Sequence, residues 1–148
     1  MKERLFHVAF CKNTDHMSLI QQQIQEIQAE LPQHVRLVAV SKYHPISSLE
    51  EAYRAGQRIF GESKVQEKKK KYNALPKDIQ WHFIGHLQTN KIKYMAPYVT
   101  MIHGVDSYKL LTEINKYAQK VNRTISCLLQ IHIAEEETKF GLSMEECR

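Results

Sequence analysis

The residues with the clearest chemical potential lie where short apolar segments end. Lys42 follows the apolar segment 35–41, whose last residue is Ser41. A lysine in such a place is usually a solvated loop residue. At the mouth of a closed sheet it loses part of its hydration, which favours the neutral amine and makes it a nucleophile for carbonyl groups. Lys42 is therefore a candidate for forming a Schiff base with an aldehyde.

Polar residues also mark the ends of the later apolar segments. The candidates at these positions are Ser41, Ser63, His82, Asp106 and Gln130, together with the strand-end glycine Gly85. If the segments are parallel strands, their carboxyl ends meet at one edge, where such folds bind their ligands. We expect these residues to surround Lys42 and to help hold and orient a ligand there.

Metal chemistry and known phosphate loops are not indicated. His82 and His86 lie four residues apart, but His86 follows Gly85, so the two do not share a helix face. No HExxH pattern, Walker loop or GxGxxG loop occurs in the sequence. We predict no metal site, and a phosphate group would need a cradle of another kind.

Strand and helix signals alternate along the chain and predict the scaffold for these residues. The predicted strands are 35–41, 58–60, 79–84, 99–105 and 126–133. The predicted helices lie between Ser18 and Pro32, over 47–55, 64–73 and 89–95, from Ser107 to Val121, and from about Ser143. Repeated βα units predict an α/β fold with a parallel sheet, either doubly wound and open or part of a (β/α)₈ barrel. A complete barrel needs about 250 residues, so this chain would supply about five of eight units.

Composition excludes several classes of protein. The chain has 148 residues, of which 43% are hydrophobic and 25% charged, as in globular domains. No apolar run has the length of about 18 residues that a membrane helix needs. The three cysteines, Cys11, Cys127 and Cys147, are odd in number and far apart. This excludes a disulfide scaffold and suits the reducing cytoplasm.

The net charge of +5 includes one run of four lysines, Lys68–Lys71. Such a run is usually a solvated helix face. It could also attract phosphate or nucleic acid, but no aromatic residues alternate with these lysines. A phosphate-binding or nucleic-acid-binding module therefore stays as an alternative.

The first sixteen residues differ from the rest. Their apolar stretch, 5–11, is too short and too interrupted for a secretory signal. Met17 begins the regular pattern and is an alternative start of translation. We therefore predict that residues 1–16 are an extension outside the fold and that 17–148 belong to a single domain.

Several motifs together resemble the pyridoxal phosphate homeostasis protein family. The resemblance runs from about Met17 to Arg148. Its motifs are Ala39–Lys42, Ala55–Glu62, Val65–Glu67, Trp81–Lys91, Val105–Ser107 and Lys139–Gly141. The block WHFIGHLQTNK at Trp81–Lys91 is the most specific of them.

The resemblance implies a fold and a function. The fold would be similar to the barrel of the alanine racemase N-terminal domain, with Lys42 as the lysine that forms a Schiff base with pyridoxal 5′-phosphate (PLP). The family binds this cofactor, lacks robust catalysis and is thought to balance vitamin B6 pools. A PLP-dependent amino-acid racemase is the alternative within the enzyme class.

The chain also departs from the family's usual pattern. Ser63 stands where an asparagine is common, and His132 stands where another asparagine is common. The family's later segments, which carry the phosphate contacts and last strands, do not occur here. The chain thus resembles a member that is cut after the fifth βα unit, and the exposed sheet edges of such a portion favour self-association.

Overall fold

The computed structural model describes residues 17–133 and 141–147. The predicted extension 1–16 and the residues 134–140, with their acidic run Glu135–Glu137, lie outside the described residues. The role predicted for residues 1–16 therefore stays a prediction.

A five-stranded sheet forms the centre of the fold. All neighbouring strands pair in parallel, and their spatial order β1-β2-β3-β4-β5 is their order in the chain. The strands are β1 Ala39–Val40, β2 Ile59–Glu62, β3 Gln80–Phe83, β4 Val99–Val105 and β5 Ser126–Leu129. Helical segments connect each strand to the next, as in the (β/α) barrel. The predicted α/β class and partial barrel of about five units are confirmed.

The helices begin and end close to their sequence signals. They are α1 Leu19–Glu30, α2 Ile46–Arg54, α3 Val65–Ala74, α4 Ile92–Met95, preceded by a 3₁₀ turn at Thr89–Lys91, and α5 Tyr108–Lys120. Ser18 caps α1 through a capping box with Gln21. Ser107 caps α5 by accepting a hydrogen bond from the Leu110 amide. Gly56, with φ +95°, adopts the left-handed conformation that ends α2.

The first strand is shorter than predicted. Only Ala39 and Val40 of the segment 35–41 pair with β2. Before them, the buried Gln57 side chain links β2 to the segment that precedes β1. Its amide nitrogen donates hydrogen bonds to the carbonyls of Leu37 (2.8 Å) and Ile59 (2.6 Å). A side-chain amide thus stands where strand-to-strand hydrogen bonds would continue.

Two predictions at the end of the chain are wrong. Residues 126–133 were expected to form a buried strand, but β5 ends at Leu129 and is largely exposed, since of the described strands only β4 pairs with it. From Ser143 a helix was expected, whereas residues 144–147 form a turn. Ser143 and Glu146 exchange the two hydrogen bonds of a capping box there.

The sheet has two different faces. Strand register places Val40, Gly61, His82 and Met101 side by side, and we call this the inner face. The alternating residues form the outer face, which packs against the helices. Its fully buried members include Phe60, Trp81, Phe83 and Ile102. Because successive side chains of a strand point to opposite faces, the inner face is the one on which a strand-end lysine and its neighbours can meet a ligand.

No helix among the described residues is long and apolar enough to cross a membrane. Within residues 17–133 and 141–147, no group of histidine, cysteine and acidic side chains is arranged to hold a metal ion.

Candidate functional site

Lys42 lies in a tight turn directly after β1. The Ser41 amide donates to the Gly61 carbonyl at 3.0 Å and so extends the pairing with β2 by one residue. The Ser41 carbonyl then accepts a hydrogen bond from the His44 amide at 3.1 Å, which closes the turn around Lys42 and Tyr43. Tyr43 has φ +66°, a left-handed conformation that non-glycine residues seldom adopt. The backbone that carries Lys42 is thus held in one specific and strained shape.

The inner face next to Lys42 carries two histidines. Lys42, which is half-buried, stands two residues beyond Val40, and Val40 and His82 are both register partners of Gly61. His82 is buried, and its Nδ1 lies 2.8 Å from Nε2 of His103 on β4. A primary amine on the same face of the sheet as two imidazoles is an arrangement that can bind an aldehyde carrying polar groups.

The other predicted site residues follow the same ends of the strands. Ser63 and Gly85 are in close contact, since a Cβ on Gly85 would lie 2.7 Å from the Ser63 carbonyl oxygen. Asp106 is half-buried, and its Oδ2 lies 3.3 Å from Nδ1 of His86. Gln130 is exposed, and its backbone amide donates to the Val105 carbonyl at 2.8 Å.

The strand ends thus gather at one edge, but the direct contacts are between neighbours. Ser63 contacts Gly85, and His82 lies within hydrogen-bond distance of His103. The Ser41 hydroxyl donates a hydrogen bond to Glu62 on β2. Direct contact between a cofactor and these residues stays a prediction.

Sequence reasoning missed a buried ionic network beneath this edge. Glu62, the last residue of β2, is fully buried, and its Oε1 accepts hydrogen bonds from Ser41 Oγ and Lys71 Nζ, each at 2.6 Å. Lys71 Nζ also donates to the Ser41 carbonyl oxygen at 2.7 Å. The interpretation of Lys68–Lys71 as a solvated face is therefore wrong for Lys71, which is 6% exposed.

A signal for this network was present in the sequence. Four consecutive helical residues turn through about 300°, so a run of four lysines cannot face solvent at every position of a helix packed on a sheet. A glutamate at the end of a buried strand also needs a partner. Neither signal predicts which of the four lysines pairs with Glu62, because that depends on the rotation of α3 about its axis relative to the sheet.

A cavity of about 490 Å³ opens beside the same edge, between the start of α3 and the segment after β3. Ser63, Lys69, His86 and Lys91 are among its lining residues, and the buried side chain of Leu87 forms part of its apolar wall. The cavity has the size of small-molecule sites in proteins. Ser63 thus faces a space that is separate from the turn of Lys42.

A thiol is not a competing nucleophile near the described strands. Cys127 lies on β5, and burial raises the pKa of its thiol, which keeps it in the less reactive protonated form. The primary amine of Lys42 is the better candidate for attack on a carbonyl carbon.

The chain is similar in sequence to curated proteins that share one name. A curated relative from Synechocystis sp., named pyridoxal phosphate homeostasis protein, is 43% identical over 125 residues. A relative of the same name from Schizosaccharomyces pombe is 40% identical over 129 residues. These alignments cover 83% and 86% of this chain, and 57% and 54% of the relatives. The chain spans about half the length of the curated relatives that it matches.

Solved structures show the same likeness. PipY of Synechococcus elongatus, in its structure with PLP bound, superposes with a TM-score of 0.77 at 35% identity, over 86% of this chain and 59% of PipY. Alanine racemase from E. faecalis, at 16% identity and a TM-score of 0.67 over 86% of this chain and 35% of its own, shares the fold alone.

The resemblance found in the sequence motifs is confirmed by these relatives. A family model described as "Alanine racemase, N-terminal domain" matches residues 16–148, which is nearly the whole chain. The chain therefore belongs to the alanine racemase N-terminal domain family.

Proposed function

We propose that this chain carries the lysine-bearing part of a PLP-binding site, with Lys42 as the residue that bonds the cofactor. The observation that supports it most is the place of Lys42, half-buried in a closed turn at the carboxyl end of β1 and two residues beyond the inner-face residue Val40. The PLP-bound structure of the similar protein PipY adds independent support.

The residues around Lys42 fit this cofactor. PLP, when bound, supplies an aldehyde that condenses with an amine. Lys42 supplies a primary amine, and it is half-buried at the carboxyl end of β1. His82 and His103 lie on the same inner face, and the short contact between their rings fixes two polar side chains there. Ser63, Gly85, Asp106 and Gln130 are proposed to complete the rim.

The proposed role is PLP binding in vitamin B6 homeostasis rather than catalysis. The similar curated relatives are named for PLP homeostasis, which supports this role. We place this role in the cytoplasm, on the basis of the cysteine pattern. Nucleic acid is not a proposed ligand, since burial of Lys71 removes one lysine from the exposed run on which that alternative rested.

Borohydride trapping tests the assignment directly. The 148-residue chain is incubated with PLP and reduced, and the modified lysine is identified by peptide mass mapping. We expect modification at Lys42, and loss of the main adduct in Lys42→Ala. A Lys69→Ala variant is the matched control, because this exposed lysine lies on the wall of the separate cavity.

Adducts spread over Lys69, Lys70 and Lys91 with Lys42 unmodified would contradict the proposal. We further expect weaker binding than in the Synechocystis relative, because the chain spans only 57% of that relative's length. Titration of this chain and of the Synechocystis relative under the same conditions measures that difference.

A further inference from the structure

The buried network of Ser41, Glu62 and Lys71 lies on the side of the sheet opposite to the proposed ligand. Ser41 directs its hydroxyl to Glu62 at 2.6 Å, and Lys71 reaches both from α3 on the outer, helix-covered face. The side chains of Glu62 and Lys71 are 0% and 7% exposed. A ligand at the inner face cannot touch them, so any effect on Lys42 must pass through the backbone.

That backbone route is short. The Ser41 carbonyl oxygen accepts from Lys71 Nζ at 2.7 Å and from the His44 amide at 3.1 Å. Its carbon forms the peptide bond to Lys42. One carbonyl group thus links the buried ammonium, the closure of the turn and the peptide plane that orients Lys42.

The turn needs such support because its own geometry is unfavourable. Tyr43 has φ +66° although it is not glycine, and left-handed backbone at such a residue persists only where the surroundings enforce it. The Tyr43 side chain is 71% exposed, so core packing does not supply that support. The charge-assisted hydrogen bond from Lys71 is the strong restraint on the turn.

We propose that Lys71 and Glu62 are positioning residues for Lys42: Lys71 holds the Ser41 carbonyl, Glu62 holds Lys71 and Ser41, and together they fix the turn that presents the Lys42 amine. This inference rests on the proposed function of Lys42. Buried ion pairs add little net stability compared with neutral side chains of similar shape, which makes a purely stabilising role a separable alternative.

The test compares three variants with the wild-type chain. Lys71→Met removes the donor to the Ser41 carbonyl, and Glu62→Gln/Lys71→Met also removes the buried charge that the single change leaves unpaired. Lys69→Met changes an exposed lysine of the same helix that is not among the residues lining the groove beside Tyr43 and His44, and it is the matched control. Two readouts are used: hydrogen exchange of the His44 amide without PLP, and the rate of borohydride-trapped modification at Lys42 across pH.

We expect His44 exchange to rise and Lys42 trapping to fall by about tenfold in Lys71→Met, as for loss of a hydrogen bond to a charged group. The double variant regains thermal stability, since no unpaired charge is left in the core, but keeps the fast exchange and the slow trapping. If Lys71→Met alone does not fold, the double variant still tests the role of Lys71, because it also lacks the donor to the Ser41 carbonyl. Lys69→Met is expected to behave like the wild type in both readouts.

Wild-type exchange and trapping in the folded double variant would overturn the positioning role and leave the proposed function intact. Absence of a Lys42 adduct in the wild-type chain would overturn the proposed function, and with it this inference.

Discussion

Gly85 stands so close to Ser63 that a Cβ at Gly85 would lie 2.7 Å from the Ser63 carbonyl oxygen and 3.0 Å from its Cα. Both contacts are with backbone or with atoms fixed to it, so a side chain could enter only if the loops after β2 and β3 separated. We expect Gly85→Ala to destabilise the chain by about 1–3 kcal/mol, the usual cost of overpacking. Thermal or urea unfolding measures it.

Gly104→Ala is the control for that prediction. A Cβ at Gly104 would come within 3.2 Å of Gln130 Oε1, which is the end of a flexible side chain. We expect a loss below about 1 kcal/mol, since the amide can rotate away. Equal losses in the two variants would show that the Gly85–Ser63 contact is not a rigid one.

We predict that ionisation of Tyr98 lowers the free energy of unfolding in alkaline solution. Burial raises the pKa of Tyr98 to about 12, and Tyr72, whose ring stacks on it with centroids 4.3 Å apart, adds to the shift. In the unfolded chain the phenol loses its proton near pH 10, so there the unfolded state binds fewer protons than the folded state. Stability is therefore unaffected by this group below pH 10 and falls, by about 2 kcal/mol, as pH rises towards 12.

The Tyr98→Phe variant isolates this contribution from other alkaline effects. Its unfolding free energy is expected to fall less steeply than that of the wild type between pH 10 and 12. Parallel stability curves for the two proteins over this range would show that Tyr98 does not titrate as its burial requires.

Exposed apolar residues at the end of the sheet predict self-association. Leu128, Leu129 and Ile131 are 37–45% exposed in and just after β5, and an edge strand of this kind is a template for pairing with another chain. We expect concentration-dependent association in sedimentation velocity, reduced in Leu129→Lys. Leu19→Lys is the control, since Leu19 is an exposed apolar residue of α1, which packs against α2 and not against β5. A sharp, cooperative melt of a monomer would contradict the prediction.

Alanine racemisation is expected to be undetectable with this chain and PLP. Racemisation needs a base on each face of the substrate carbon, and among the described residues we assign only one such group, the amine of Lys42. Chiral chromatography of alanine incubated with the chain measures the product. Formation of d-alanine that disappears in Lys42→Ala would instead favour the racemase alternative.

Local patterns in the sequence determined the order of the elements and the place of the chemistry. Alternating apolar segments and capping residues such as Ser18 and Ser107 predict the βα repeat, because these signals act within one or two helical turns. They also predict that Lys42 and His82 lie at strand ends. The lengths of the strands are less well predicted. The strand β1 begins later than expected, because the Gln57 side-chain amide takes the place of strand-to-strand hydrogen bonds before Ala39.

Only the tertiary structure decided which charged residues are buried and how Lys42 is held. Glu62 and Lys71 are nine residues apart in the sequence, and their contact depends on how α3 lies against β2. The exposure of β5 likewise depends on which strands lie next to it, not on its own apolar composition. Local sequence specifies turns and periodicity, whereas burial depends on packing between distant segments, and this is the physical reason why the network behind Lys42 could not be read from the four lysines alone.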